Sequence, residues 1–267
     1  MLELKLNQRL SLFSKSKSYE KETHKITKFS SNVLIFLSLI GVLSSAFMLY
    51  SASSDYRLGD EVYKQLRISR ESDTPNLETN QLSIDFQLLK TQNPDFIGWI
   101  GTDGDEINYP LVKGEDNEFY LTHLFTREKN KLGSIFIDYR NQADFLDRNT
   151  IIYGHNMKDG SMFSSLINYK NDGYYQAHPT LPIFTPNGNY QIEFFAGIVV
   201  DGSYESVRFD FNDDKDFIDY VQSLQDLSTF KSQIELNADD RIVTLVTCSY
   251  EYTNARYALY GRIKHLP

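Results

Sequence analysis

Cysteine is nearly absent from this chain: its 267 residues hold one, Cys248. An internal disulfide is thereby excluded, so the fold rests on its apolar core. Positive charge is also short. The formal net charge is −9, which argues against a nucleic-acid partner. Five histidines are scattered without the spacing of metal ligands, so no metal site is expected. The sequence has no internal repeat, no low-complexity tract and no nucleotide-binding loop. Gly101-Thr-Asp-Gly104 departs too far from a phosphate motif to count, and no cofactor is expected. A lone cysteine is open to two readings: a small buried residue, or, in an exported protein, a reactive thiol or intermolecular link.

Aromatic residues are plentiful. Eighteen Tyr and eighteen Phe favour a β-rich fold. A hydrophobic content of 41% with 24% charged residues fits a globular protein. Residues 1–32 are polar and carry seven Lys and Arg against three Glu, which suggests a poorly ordered basic leader. Val33–Tyr50 then runs without a charge. As a helix it would span roughly 27 Å, close to the hydrocarbon core of a bilayer. A buried core helix and a cleaved signal peptide compete with an uncleaved transmembrane signal anchor. The long basic leader favours the anchor, with the N-terminus cytoplasmic and the remainder extracellular. Residues 51–81 read as a polar linker with a helix over 55–68. A second helix from Leu82 stops before Pro94, and a domain is expected over 82–267.

From Phe96 the pattern becomes short apolar runs between Gly, Asp, Asn and Pro. Eight strands are expected, near 96–100, 109–112, 134–138, 150–153, 181–185, 190–200, 241–247 and 256–263, which suggests a barrel or sandwich. One helix interrupts them from Asp213, with acidic residues in its first turn and apolar residues at 217, 218, 221 and 224.

Cys248 ends one of these strands and Arg256 opens the next, so a hairpin would set a nucleophile beside a fixed cation. An acyl-transfer enzyme also needs a base. His24 falls in the leader and His265 close to the C-terminal end. His123 and His178 sit in helix-like or loop contexts. His155 follows an apolar strand and Gly154, and loops at strand ends are where active-site groups are usually carried. Read from residues alone, His155 and Arg256 are equally open to being surface residues without a role.

The Thr244-Leu-Val-Thr-Cys248 run resembles the signature of sortases, the surface transpeptidases of Gram-positive bacteria. Cys248-Ser-Tyr-Glu-Tyr-Thr-Asn-Ala-Arg256, Tyr153-Gly-His155-Asn-Met and Gly133-Ser-Ile-Phe-Ile-Asp-Tyr-Arg-Asn141 resemble the class B forms. The similarity covers about residues 82–265. It implies a mainly β fold, an eight-stranded barrel with peripheral helices, behind a single-pass anchor. It implies Cys248 as nucleophile, His155 as catalytic histidine and Arg256 as catalytic arginine, with Thr247, Ser249, Tyr250 and Tyr153 as candidate substrate contacts. The implied partners are surface proteins or pilins bearing an LPxTG- or NPxTx-like C-terminal sorting motif. The acceptor would be a peptidoglycan cross-bridge or lipid II amine, or a pilin lysine in a polymerase. Hydrolysis by water, and a membrane-anchored binding module without catalysis, are the alternatives.

Overall fold

A computed structural model describes residues 33–48, 50, 54–68, 84–202, 207–249 and 253–266. The chain divides into two compact units, 1–54 and 55–267. In the first, residues 33–48 are helical and exposed. Among the described residues no helix is long and apolar enough to cross a membrane, so the transmembrane helix expected over Val33–Tyr50 finds no support here. The basic leader lies outside the described residues.

The second unit opens within helix α1 (residues 54–68) and continues through α2 (Phe86–Gln92) into eight strands. These are β1 (Phe96–Ile100), β2 (Tyr109–Lys113), β3 (Ile135–Ile137), β4 (Asn149–Tyr153), β5 (Thr180–Thr185), β6 (Gly188–Asp201), β7 (Ile242–Cys248) and β8 (Ala255–Leu266). They close into a barrel in the order β1-β2-β3-β4-β7-β8-β6-β5, the one of the two architectures left open by the strand pattern that the family resemblance implied. Most pairs are antiparallel. β2 with β3 and β4 with β7 are parallel, which sets the loop after β4 beside the end of β7.

Side chains alternate across the barrel wall. Val243, Leu245, Tyr257 and Leu259 enter the interior with Trp99, Phe136 and Phe194. Ile242, Val246, Ala258 and Tyr260 face outward and form a second apolar layer under helix α4 (Asp214–Leu227), which buries Phe217, Val221 and Leu224 on it. Asp213 caps this helix by accepting from the Asp216 amide at 2.8 Å, and Asp214 and Asp216 complement its N-terminus.

Two features depart from expectation. The segment read as a linker contributes α1 to the compact unit: Tyr63 and Leu66 are buried, and Asn130 donates to the Asp55 carbonyl at 2.9 Å. α1 thus belongs to the compact unit that runs from Asp55, where its apolar stripe is covered. A 3-10 segment (Ser164–Lys170) and helix α3 (Asp172–Ala177) fill a stretch with no clear period in the sequence.

Candidate active site

Cys248 closes β7 and pairs in register with Arg256 on β8. Paired residues of an antiparallel ladder point to the same face, so thiol and guanidinium share the outer face of the barrel wall. Two β4 residues, Ile151 and Tyr153, lie on that face, and His155 follows two residues beyond. Gly154 permits this turn. A Cβ there would lie 2.5 Å from Ile135 and 2.7 Å from the Phe163 ring. The Gly154 amide also donates to the Val246 carbonyl at 3.2 Å, which holds the histidine loop against β7.

The three groups form one electrostatic unit. Hydrogen bonding toward the His155 ring is the main influence holding the Cys248 thiol below its ordinary pKa, and the Arg256 charge adds to it, against the opposing effect of partial burial. The same influence raises the His155 pKa. Burial opposes this, and the Leu121 carbonyl, 2.6 Å from Nε2, reinforces it. With Nε2–H donated to Leu121, Nδ1 is the nitrogen left for the thiol. Both shifts favour a thiolate–imidazolium pair.

Arg256 donates through Nη1 to the Ala255 carbonyl at 3.1 Å, and among the described residues no carboxylate pairs with it. Its remaining donors thus meet no neutralising acid among the described residues. Arg262, six residues on, donates to Glu193 through Nε and Nη2 at 3.0 and 2.6 Å and to the Glu235 carbonyl. The chemistry available to the first arginine is bound up in structure at the second.

The four candidate substrate contacts are placed unequally. Thr247, paired with the interior Tyr257, points inward, and both it and Ser249, which follows the strand end, are buried at 2% and 6% exposed. Ser249 Oγ accepts from Lys170 at 3.0 Å, while Thr247 Oγ1 has no partner among the described residues. Tyr153 remains on the outer face, half-buried, its hydroxyl donated to Asp138 at 3.1 Å. Tyr250 lies outside the described residues.

Three further groups escaped the sequence reading. Asn156 donates to the Cys248 carbonyl at 2.9 Å, tying the histidine loop to the nucleophile's own backbone. Its position directly after His155 was the available signal. The Leu121 carbonyl and Lys170 carry no motif. Two recesses lie apart from Cys248, His155 and Arg256, none of which lines either. One, of about 410 Å³, is lined by Arg140, Val207, Arg208, Phe209 and Asp210. A larger one of about 830 Å³ lies between α4 and residues 231–236 and includes none of the three central residues.

No family model matches the chain. Sortase B of Listeria monocytogenes is 35% identical over 223 residues, covering 79% of this chain and 90% of the relative. A Staphylococcus aureus sortase B–substrate complex matches with a TM-score of 0.71 at 28% identity, covering 80% of this chain and all of that one. A sortase B complexed with triglycine matches with a TM-score of 0.64 at 33% identity, over 68% of this chain and 86% of the other. A barrel that pairs Cys248 with Arg256 and brings His155 to the thiol, with this extent of similarity, places the chain in the sortase B family, the class B cysteine transpeptidases.

Proposed function

We propose that this transpeptidase cleaves a C-terminal sorting motif of surface proteins, LPxTG- or NPxTx-like, and joins the freed acyl group to a cell-wall amine. One observation carries the assignment of roles: the Cys248–Arg256 register pair, with His155 on a loop tied to β7 on either side by the Gly154–Val246 and Asn156–Cys248 backbone contacts. The Cys248 thiolate attacks a backbone carbonyl carbon of the motif, and the oxygen gains the negative charge. Arg256 stabilises that oxyanion; loss of one such donor typically costs about 10²–10³ in rate. As the C–N bond breaks, the His155 imidazolium protonates the leaving amine, leaving a thioester on Cys248. The neutral imidazole then takes a proton from the incoming amine. That amine attacks the thioester, the C–S bond breaks, and the thiolate is restored. The substrate-bound and triglycine-bound relatives support a peptide substrate and an amine acceptor here.

A membrane anchor at the N-terminus belongs to the same reading. It is supported by the charge-free run Val33–Tyr50 behind seven basic residues.

Cleavage of LPxTG- and NPxTx-type peptides, with and without triglycine, tests the proposal. Cys248→Ala and His155→Ala are each expected to lose cleavage and transfer while keeping the circular dichroism of the parent. Transfer product should form only with the amine present. Cleavage near the parent level in Cys248→Ala would end the mechanism. A product that is free acid whatever amine is supplied would make the enzyme a hydrolase.

A further inference from the structure

The histidine of this site is oriented by a main-chain group, and that group is set from a distance. His155 Nε2 lies 2.6 Å from the Leu121 carbonyl. Leu121 ends a short 3-10 turn (Phe119–Leu121) in an irregular loop, where a carbonyl has no ladder to fix its direction. Residues 133 and 134 fix it instead. Gly133 has φ +61°, and a Cβ built on it would lie 2.6 Å from the Tyr120 oxygen and 2.8 Å from the Leu121 oxygen. The glycine therefore lies directly against the carbonyl that receives His155, in a conformation that other residues adopt only with strain. Ser134 ties both sides of Leu121: its amide donates to the Tyr120 carbonyl at 2.9 Å and its hydroxyl to the His123 carbonyl at 2.8 Å.

This Gly-Ser pair is itself held from α1. The Tyr63 hydroxyl donates to the Gly133 carbonyl and lies 3.2 Å from Ser134 Oγ. Tyr63 is 2% exposed, so no water competes for the contact, and its ring packs edge-on against Tyr109 at 5.2 Å. We infer that Tyr63 and Gly133 are positioning residues for catalysis, holding the Leu121 carbonyl so that it orients the His155 ring toward Cys248. The inference rests on the reading of His155 as the catalytic histidine. It gives α1, which touches none of the reacting groups, a part in the reaction.

Tyr63→Phe removes one hydroxyl and keeps the ring. Expected is a fall in kcat of about tenfold, the effect of roughly one hydrogen bond on the barrier, with KM for the sorting peptide unchanged. Because the Leu121 bond favours the imidazolium, its loosening lowers the His155 pKa. The alkaline limb of the rate profile, and the His155 midpoint in an NMR titration, should both move to lower pH. Gly133→Ala, which displaces the carbonyl itself, should cost about 10²-fold in kcat. Leu224→Ala in α4 is the structural control: it should lower Tm while kcat and the alkaline limb stay at parent values. Parent kcat and parent midpoint in Tyr63→Phe would overturn the inference, and so would a Leu224→Ala variant that reproduced both changes. Parent activity in His155→Ala would remove the underlying reading instead. The NMR midpoint would still report whether Tyr63 acts on the ring.

Discussion

At the scale of single residues, the thiol and the imidazole shift in opposite directions, and the pH profile follows from the signs. The Cys248 pKa is lowered, so thiolate is lost only as pH falls through that lowered value. The His155 pKa is raised, so imidazolium is lost only as pH rises through that raised value. Peptide cleavage should therefore be bell-shaped in kcat/KM, with both limbs reporting the pair. The two arginines of β8 should separate cleanly. Arg256→Lys keeps a charge but loses the planar fork, and kcat/KM should fall about 10²-fold at unchanged Tm. Arg262→Lys breaks a two-pronged contact with Glu193 and should lose about 1 kcal/mol of stability with kcat intact. Steady-state cleavage and thermal melts of both variants decide this, and equal kinetic losses would make Arg256 structural. The sequence marked Cys248, Arg256 and His155 through their match to the class B motifs, since strand ends and hairpin spacing alone left His155 and Arg256 open to having no role. It could not make the Leu121 carbonyl legible, because a main-chain acceptor has no residue type. Nor did it mark Thr247 and Ser249 as buried, which depends on how the end of β7 packs.

At the scale of elements, the insertion between β6 and β7 and the end of β3 are joined across the outer face of β4. Asn149 donates to the Arg208 carbonyl at 2.8 Å, Val207 and Phe209 pack with Tyr153 on the outer apolar layer, and Arg140 lies 5.5 Å over the Phe209 ring. Arg140 is held by Asp138, whose fully buried carboxylate also accepts from Asn117 and Tyr153. Burial raises the Asp138 pKa, but the Arg140 and Asn117 hydrogen bonds outweigh it and leave a net lowering. The sign then follows: Asp138 stabilises the fold above its unfolded pKa and loses that contribution as pH falls through its lower folded value. Asp138→Asn should cost roughly 2 kcal/mol near neutrality, since it leaves Arg140 and Tyr153 with a poor acceptor. It should also flatten the acid limb of the stability curve. Urea melts between pH 3 and 7 on both proteins test this, and parallel curves would rule Asp138 out as the titrating group. The strands were legible as elements because apolar, β-branched runs ended at Gly, Asn and Pro. α3 and the 3-10 segment were not, because Ser164–Ala177 owes its shape to contacts such as the Tyr169 hydroxyl on the His178 carbonyl and Tyr175 stacked on Phe230.

At the scale of the whole molecule, the question is where the catalytic unit begins, and two truncations answer it. The sequence alone put that start near Leu82, because residues 69–80 are polar and broken by Pro75. The folded unit begins at Asp55. Removing residues 1–54 deletes the apolar run Val33–Tyr50 and keeps all of the second compact unit, so the product should be soluble, with the parent Tm and kcat. Removing residues 1–81 also deletes α1. Tyr63 and Leu66 are each almost wholly buried, and at about 1.5–3 kcal/mol per large side chain the loss amounts to roughly 4 kcal/mol. That is a large fraction of an ordinary domain's stability of about 5–15 kcal/mol. The shorter protein should melt far lower, and at a temperature where both are folded its kcat should fall with KM held, because the Tyr63 contact to Gly133 goes with the helix. A parent-like Tm and kcat in the 82–267 protein would show that α1 is a linker after all. A 55–267 protein that still partitioned with membranes would move the proposed anchor out of Val33–Tyr50 and onto the catalytic unit itself.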